Sequence, residues 1–383
     1  MAADPVVALL AADDVTDDVV AAWRDLAVRA AEPNPVNEPD VLLPAMRHLP
    51  QGDAARLLVV RRGRELDACL PVLPTARWRP KVPVPALVSW THDYQLLGTP
   101  LVDGDRTRDT LAALLRAPWR TRRAALLLAL DGTGDDGPVA RALDEAVEEL
   151  GGAALRWETH ERAALVRRPD GTVAPLSGSR RKRVGRSRRA LERVAGAVTV
   201  VDHAGDPAAV ERFLALEAAG WKGRAGTAMA VRPADAAFFR EVCARFADAG
   251  RLELRTLEVP AGPVAMQVAL RAGDSVFHMK VAYAEEYGDH SPGVQLLVDY
   301  AERFPTEALT LRDSCTAAEN VTESQVWPGR RRVSDVVVPF AGPVSRAGVG
   351  ALARLRSRRS SGRGGSGAVP DGAPGDAAAV DRG

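Results

Sequence analysis

The sequence predicts a mixed α/β (α+β) fold made of two halves with a similar design. Short strand-like runs and helical segments alternate through both halves, a pattern typical of sheets flanked by helices. The chain has 383 residues, which favours two domains over one. Its hydrophobic content of 46% is sufficient for a sizeable core. Because several runs are joined by short turns, we expect mixed, mostly antiparallel sheets.

The first half, residues 1–172, contains two kinds of apolar segment. Short segments rich in Val and Leu are predicted to be strands, and a longer one that starts at Pro138 is predicted to be a helix. The predicted elements are a hairpin at 55–62 and 65–73, strands at 86–90, 124–130 and 154–157, and helices at 110–115 and 138–150.

The second half, residues 173–342, repeats this alternation. The tail at 343–383 is rich in Ala, Gly, Arg and Ser, and we expect it to be disordered because it can bury little apolar surface. The predicted elements of the second half are helices at 179–194, 207–219, 233–249 and 294–304, and strands at 198–202, 252–259, 264–270, 275–283, 309–312 and 335–339.

Charge and cysteine content narrow the class of protein. Acidic and basic residues nearly cancel, at 50 against 51, so a chain-wide nucleic-acid surface is not expected. The three cysteines, Cys69, Cys243 and Cys315, are far apart, which argues against a metal site or a disulfide framework. The first residues lack the features of a signal peptide, and no apolar run is long enough to span a membrane. We therefore expect a soluble cytoplasmic protein that uses no metal.

The segment around Ser291-Pro292-Gly293 is a candidate ligand site. Ser291 can cap a helix, Pro292 suits the first helical position, and Gly293 leaves room beside the backbone. A helix N-terminus offers free N–H groups and a partial positive charge, which suit a pyrophosphate. The same residues are also an ordinary helix start. A strand that ends near Tyr283 and a short loop precede this helix start, and another strand follows the helix.

Several motifs together resemble those of a known family. They are EAAGWKG at 217–223, FHMKVAY at 277–283, Tyr287 with Ser291-Pro292-Gly293, Asn34-Pro35, and YQLLGTPLV at 94–102. The sequence resembles the GNAT-like acyltransferases of the cellulose-biosynthesis CelD type, which are similar to the Fem peptidyltransferases. The resemblance implies two tandem GNAT-like domains, the first degenerate and the second catalytic. It also implies acetyl-CoA or another acyl-CoA as co-substrate, with Tyr287, Ser291, Pro292 and Gly293 at the cofactor.

The phosphate loop departs from the family pattern. The usual loop is Q/R-x-x-G-x-G/A, whereas here residues 287–293 read YGDHSPG and the arginine is missing. Aminoacyl-tRNA, the donor of Fem enzymes, therefore stays open as an alternative.

Two residues on the strand 275–283 are candidates for proton transfer. Simple alternation places His278 and Lys280 on the same face of this strand. A neutral His can accept a proton from an attacking amine, and a Lys with a lowered pKa can hold or activate the acceptor. Alternatively, His278 is a hydrogen-bonded structural residue and Lys280 pairs with an acid.

Further candidates lie on both sides of this strand. Glu217 is a possible general base or a surface charge on its helix. Tyr283 can donate a proton to the leaving thiolate, or line the groove together with Tyr287. Substrate contacts are expected from Trp221 and Lys222, which are otherwise a core residue and its solvated neighbour, and from Asp313, which follows a strand at the predicted cleft.

A basic helix opens the second half, with eight Lys or Arg among residues 180–193. It either forms a solvated face or binds coenzyme A phosphates, a phosphorylated acceptor or tRNA. Ser177 or Ser179 can cap it. The run contains no aromatic residue, which weakens the case for stacking on single-stranded RNA.

Taken together, these features predict an acyl-CoA-dependent N- or O-acyltransferase of the GNAT type. Its partner would be a small-molecule acceptor, such as a small amine, an amino-sugar or an envelope polysaccharide precursor. The alternatives are an aminoacyl-tRNA-dependent peptidyltransferase of the Fem type and a non-catalytic GNAT-like binding protein. The sequence leaves the acceptor and the oligomeric state open.

Overall fold

The computed structural model describes residues 4–79, 82–117, 125–317 and 320–361. Strands of both halves form one continuous sheet, and helices pack on it. The first half contributes strands β1 (Val6–Leu10), β2 (Arg56–Arg62), β3 (Glu65–Thr75), β4 (Ala86–Ser89), β5 (Leu101–Val102), β6 (Leu127–Gly134) and β7 (Leu155–Val166), and helices α1 (Asp17–Arg29), α2 (Pro39–His48), α3 (Thr107–Arg116) and α4 (Pro138–Glu149).

The second half follows the predicted alternation of helices and strands. Ser177 caps its first helix, since the side chain accepts a hydrogen bond from the N–H of Arg180. The second half contributes helices α5 (Gly178–Ala195), α6 (Pro207–Ala219), α7 (Trp221–Arg224), α8 (Pro233–Asp248), α9 (Pro292–Arg303), α10 (Val321–Val326) and α11 (Pro343–Ser361), and strands β8 (Thr199–Asp202), β9 (Leu252–Val259), β10 (Gly262–Ala272), β11 (Ser275–Tyr283), β12 (Leu311–Asp313) and β13 (Gly329–Pro339).

The sheet is mixed and mostly antiparallel, as predicted. Its strands lie in the order β1-β2-β3-β4-β6-β13-β7-β12-β11-β10-β9-β8, and β5 pairs with β3 beside this path. Each half contains one parallel pair, β4 with β6 and β11 with β12. A helix-containing segment joins the two strands of each parallel pair, as a parallel connection requires.

The two halves exchange strands at the centre of the sheet. Strand β13, from the end of the second half, pairs with β6 of the first half and with β7. Strand β7, from the end of the first half, pairs with β12 of the second. The domain boundary between residues 172 and 173 therefore stays a prediction. In the sheet, strands of each half pair with strands of the other half.

One apolar core also runs across both halves. Trp23 and Trp90 of the first half belong to the same buried cluster as Phe213, Phe238 and Phe277 of the second. A fully buried aromatic or aliphatic side chain contributes roughly 1.5–3 kcal/mol through the hydrophobic effect. The contact between the halves is therefore part of the core.

The predicted disorder of the tail is wrong for its first part. Residues Pro343–Ser361 form α11, in which Val349 and Leu352 are buried against Trp78 and Val337. These two apolar residues supply the packing that the overall composition of the tail obscures. Residues 362–383 lie outside the described residues.

Candidate active site

The sheet is open on one side of β11. This strand pairs with β12 only through Ser275, Val276 and Phe277, and β12 ends at Asp313. Strand β11 continues to Tyr283, and within the described ranges no strand pairs with that continuation on the β12 side. Backbone N–H and C=O groups of β11 therefore border the opening, where an extended ligand can bind them.

A groove of about 300 Å³ lies beside this opening. Its volume is at the lower end of the range for small-molecule sites. The groove runs between β11, the start of α9 and the start of α10, and its lining includes Gln267, Val281, Tyr283, Ser291, Pro292, Gly293, Asn320 and Thr322.

The start of α9 forms one wall of the groove. Ser291 has a φ of 49° and a ψ of 55°, a left-handed conformation, and its side chain makes no cap hydrogen bond. The predicted side-chain cap is therefore wrong, because a capping residue usually has an extended backbone. The carbonyl of Ser291 accepts from the N–H of Gln295 at 3.2 Å. The N–H groups of Gly293 and Val294 have no hydrogen-bond partner among the described residues.

Gly293 leaves free space at this point. A Cβ atom placed on it would meet no heavy atom within 4 Å. Packing therefore does not require a glycine here, and a side chain at this position would enter the groove. Tyr287 lies outside the groove lining and packs partly against the apolar cluster under α9, whereas Tyr283 lines the groove.

A β-bulge separates His278 from Lys280. Val268 of β10 is opposite Lys280 and Ala269 is opposite His278, so Met279 is the extra residue. The bulge reverses the alternation. His278 contacts rings on the α9 side of the sheet, and Lys280 contacts α6 and the first half on the other side. The predicted common face of His278 and Lys280 is therefore wrong.

His278 is buried on the α9 side. Its ring lies 4.7 Å from the ring of Tyr300 and 5.0 Å from that of Trp327, centroid to centroid. Its Nε2 is 3.4 Å from a guanidinium nitrogen of Arg312. Burial lowers the pKa of His278 well below its usual value, and the Arg312 cation lowers it further. His278 is 4% exposed and is a neutral core residue that does not line the groove.

Lys280 belongs to a second cluster on the opposite face. Its Nζ lies 3.8 Å from Glu217 Oε1, and the Nζ of Lys222 lies 3.2 Å from the same oxygen. The other oxygen, Glu217 Oε2, accepts from the N–H of Met229 at 2.9 Å. The Glu217 side chain is only 1% exposed, while both lysine side chains are partly exposed. Glu217 is therefore a buried anchor for two amines.

The first half also reaches this cluster. Lys280 Nζ is 5.1 Å from the centre of the Tyr94 ring, a cation–π distance. The Tyr94 hydroxyl donates to Asp235 Oδ2 at 2.6 Å, and the ring stacks on Phe238. Burial and the Asp235 carboxylate raise the pKa of Tyr94, so this phenol stays protonated. Lys222 Nζ also reaches the carbonyl of Val281, which lines the groove on the other face.

Trp221 and Lys222 lie together at the start of α7. The Trp221 side chain is exposed, and its ring is 6.0 Å from Lys222 Nζ. The Trp221 N–H donates to Glu285 Oε1 at 2.6 Å, and Arg224 pairs with the same carboxylate. This exposed ring has the accessibility that a substrate contact requires, so the core alternative for Trp221 is wrong.

Asp313 does not face a cleft. Its side chain is 0% exposed, and its Oδ2 pairs with Arg162 at 2.7 Å and with Arg331 at 2.9 Å. These two guanidinium groups hold its pKa below the usual value despite burial. The sequence placed Asp313 at a strand end but could not show that β7 and β13 bring two arginines there. Asp313 therefore joins β12 to β7 and β13 through two buried ion pairs.

The structure also adds residues that sequence reasoning missed. Gln267 lines the groove and donates to the carbonyl of Lys280 at 2.9 Å. Asn320, Thr322 and Glu323 line it from α10. Their segment carries no strong motif, so only the fold could place them. Tyr94 lies within the family-like motif 94–102, which was the available signal.

The basic helix α5 packs against α9 and against the turn at 285–290. Its buried residues are Val184 and Leu191, which share one side at 100° per residue. A stripe of exposed cations lies on the opposite side, away from the protein, and consists of Lys182, Arg186, Arg189 and Arg193.

Two further properties of the described residues concern ligands and membranes. The described ranges contain no group of three or more His, Cys, Asp or Glu that could hold a metal ion. None of the helices in those ranges combines the length and apolarity needed to cross a bilayer.

Two solved structures resemble this protein in fold. The structure of FemX superposes with a TM-score of 0.55 at 12% identity, covering 83% of this chain and 95% of that one. A conserved protein of unknown function from Bacteroides thetaiotaomicron gives 0.52 at 11% identity, covering 83% and 97%. These likenesses show the shared fold. No curated protein sequence matches this chain.

A protein-family match covers the segment that contains Ser291 and Glu217. Residues 178–320 match the family described as acetyltransferase (GNAT) domain. They include α6, α7, β11 and α9, and thus the groove wall at Ser291 and the cluster at Glu217. Residues 178–320 are therefore similar to a GNAT acetyltransferase domain, and the chain as a whole shares its fold with FemX.

Proposed function

We propose that this protein is an acyl-CoA-dependent N- or O-acyltransferase of the CelD-like type, working in the cytoplasm. The acceptor would be a small amine, an amino-sugar or an envelope polysaccharide precursor. The observation that carries the proposal is the groove that joins the open edge of β11 to the start of α9.

Two features of this groove would suit an acyl-CoA donor. An anionic pyrophosphate would meet the free N–H groups of Gly293 and Val294 and the positive end of the α9 dipole. This backbone contact needs no arginine, so it is compatible with the departure of the loop 287–293 from the family pattern. The amide-containing arm of the donor would lie along β11 near Val281, where no strand of the described ranges pairs with β11 on the β12 side.

The thioester would then lie where the sheet is open. The acceptor would approach from the opposite face, where Trp221 and Lys222 are accessible. Direct attack requires a positioned nucleophile, a proton acceptor and donors for the developing oxyanion. The nucleophile forms a bond to the carbonyl carbon, the C–S bond breaks, and the coenzyme A thiolate leaves.

Calorimetry with acetyl-CoA tests the donor. We expect saturable heat for the wild type and loss of at least tenfold in affinity for Gly293→Glu, because the new carboxylate fills the groove and repels the pyrophosphate. Gly205→Glu is the matched control, since a Cβ there also meets nothing within 4 Å but lies before α6. Absence of binding heat would refute the coenzyme A donor, and a Gly293→Glu variant that binds like the control would refute the placement of its pyrophosphate at the start of α9.

The second candidate is an aminoacyl-tRNA-dependent peptidyltransferase, and the exposed cation stripe on α5 favours it. A polynucleotide gains affinity from a row of Lys and Arg, with strong salt dependence. The same calorimetry with a protected aminoacyl-tRNA distinguishes the two donors. Binding of neither donor would leave a non-catalytic GNAT-like binding protein.

A further inference from the structure

Lysine is rare in this chain and concentrated at one place. Of the 51 Lys and Arg residues only four are lysines. Two of them place their amines within 4 Å of the same carboxylate oxygen, Glu217 Oε1. The lysines are Lys81, Lys182, Lys222 and Lys280.

Arginine would serve if this cluster only needed positive charge. A guanidinium binds a carboxylate at two points and stays protonated in proteins, whereas an amine can lose its proton. Arg is used for the other buried ion pairs near β11, including Arg162 and Arg312. The use of lysine at 222 and 280 therefore points to proton transfer.

Lys280 is the one of the two that is free to act. Lys222 Nζ is hydrogen-bonded to Glu217 and to the carbonyl of Val281. Lys280 Nζ makes no hydrogen bond to any residue in the described ranges, and its contacts are the ion pair with Glu217 and the Tyr94 ring. It lies on β11 next to Val281, which lines the donor groove from the other face.

We propose that Lys280 is the proton acceptor in acyl transfer, with Glu217, Lys222 and Tyr94 as positioning residues. This inference rests on the proposed function. The neutral amine takes a proton from the acceptor as the acceptor's N or O bonds to the thioester carbonyl carbon. The C–S bond breaks, and the Lys280 ammonium returns the proton to the thiolate. The balance is acceptor plus acyl-CoA giving acylated acceptor plus free thiol.

The surroundings of Lys280 set its titration. Burial lowers its pKa, and the Lys222 ammonium lowers it further. The carboxylates of Glu217, Asp93 and Asp235, from α6, the segment after β4 and α8, act in the opposite direction. Because the net effect is a lowered pKa, a larger fraction of Lys280 is neutral near physiological pH. General-base catalysis needs this neutral amine.

Protein labelled with [ε-¹³C]lysine makes this directly measurable, because four lysines give four side-chain signals. Lys→Arg variants assign each signal. We expect the Lys280 signal to titrate at lower pH than a free lysine, and to move when acetyl-CoA is added. Lys222→Met should raise its midpoint by removing a like charge, and Glu217→Gln should lower it by removing the carboxylate.

Kinetic measurements on variants then distinguish a role of Lys280 in proton transfer from a role of its positive charge. With acetyl-CoA as donor and hydroxylamine as acceptor, release of free thiol is followed against pH. We expect Lys280→Arg to bind acetyl-CoA as the wild type does but to lose about 10²–10⁴-fold in rate, the usual contribution of a general base. Lys222→Met should slow the reaction, and Lys222→Arg should restore most of that loss. Arg108→Lys, on α3 of the first half where Arg108 pairs with Glu149, is the control.

The outcomes distinguish this proposal from the proposed function. No heat with acetyl-CoA refutes the donor itself. Binding of acetyl-CoA with a Lys280 signal that titrates like free lysine refutes only the role of Lys280. So does a Lys280→Arg variant that retains its rate. A wild type that binds acetyl-CoA without releasing thiol to hydroxylamine refutes acyl transfer, and with it the proposed function.

Discussion

At the scale of single residues, burial acts on two neighbouring side chains of β11 with different results. His278 and Lys280 both have lowered pKa values, and burial is the main cause in each case. His278 is enclosed by the rings of Tyr300 and Trp327 and beside Arg312, so no solvent or substrate reaches it. Lys280 retains partial exposure beside a carboxylate. Of these two side chains, only Lys280 combines a shifted pKa with exposure to solvent.

The buried state of His278 predicts a pH dependence of stability. An unfolded His has a pKa of about 6.5, whereas in the folded protein the pKa is well below this. As pH falls below 6.5, the unfolded chain binds a proton that the folded chain does not, so the free energy of unfolding decreases. By linkage this loss is about 1.4 kcal/mol at pH 5.5.

His278→Phe should remove this contribution, because a Phe ring can pack between Tyr300 and Trp327 without titrating. Urea unfolding of both proteins at pH 7.5 and 5.5 measures it. The variant should lose about 1.4 kcal/mol less stability than the wild type between the two pH values. An equal loss in the two proteins would show that His278 is protonated in the fold.

At the scale of elements, the bulge in β11 shapes both faces of the site. Pairing with β12 stops at Phe277, and the extra residue Met279 follows two positions later. A bulge bends its strand and increases the local twist. We expect this bend to direct the second part of β11 away from β12, on the side where the groove lies.

Deletion of Met279 should close this opening while the chain still folds. Regular alternation without the extra residue keeps His278 and Lys280 on their present faces, so the core is retained. The straightened strand would narrow the groove, and calorimetry should show at least tenfold weaker binding of acetyl-CoA. Met279→Leu keeps the bulge and serves as the control. Unchanged affinity in the deletion variant would mean that the bulge does not hold the groove open.

The bulge also shows where prediction from the sequence ends. Periodicity and turn residues were sufficient for the helices at 207–219 and 233–249 and for the strand 275–283, all of which the structure confirms. The groove at Ser291 followed from a helix start in the expected order of elements. The register shift in β11 depends on its pairing with β10, so the sequence of β11 alone does not reveal it. The faces of His278 and Lys280 could therefore not be predicted. The burial of Asp313 depends in the same way on distant arginines.

At the scale of the whole molecule, the two halves form one cooperative structure. Strand β13 lies between β6 and β7, and β7 pairs with β12, so the sheet continues from one half into the other without a break. The buried Asp313 pairs with Arg162 of the first half and Arg331 of β13. The Lys280 cluster likewise needs Tyr94 from the first half. The first half therefore contributes to the site as well as to the fold.

This exchange predicts that a cut between the halves is tolerated but loss of β13 is not. The turn at 169–172 is exposed, so a protease site there should be cleaved without separating the pieces. The cleaved protein should elute as one species under native conditions and unfold in one transition.

A chain ending at Pro328 lacks β13, exposes the edges of β6 and β7, and leaves Arg162 and Asp313 without Arg331. It should show no cooperative unfolding in either half, because both depend on that strand. A chain ending at Ala341 loses only α11 and is the control, which should still unfold cooperatively. Separation of the cleaved pieces, or a cooperative transition in the chain ending at Pro328, would show that the halves fold independently despite the exchanged strands.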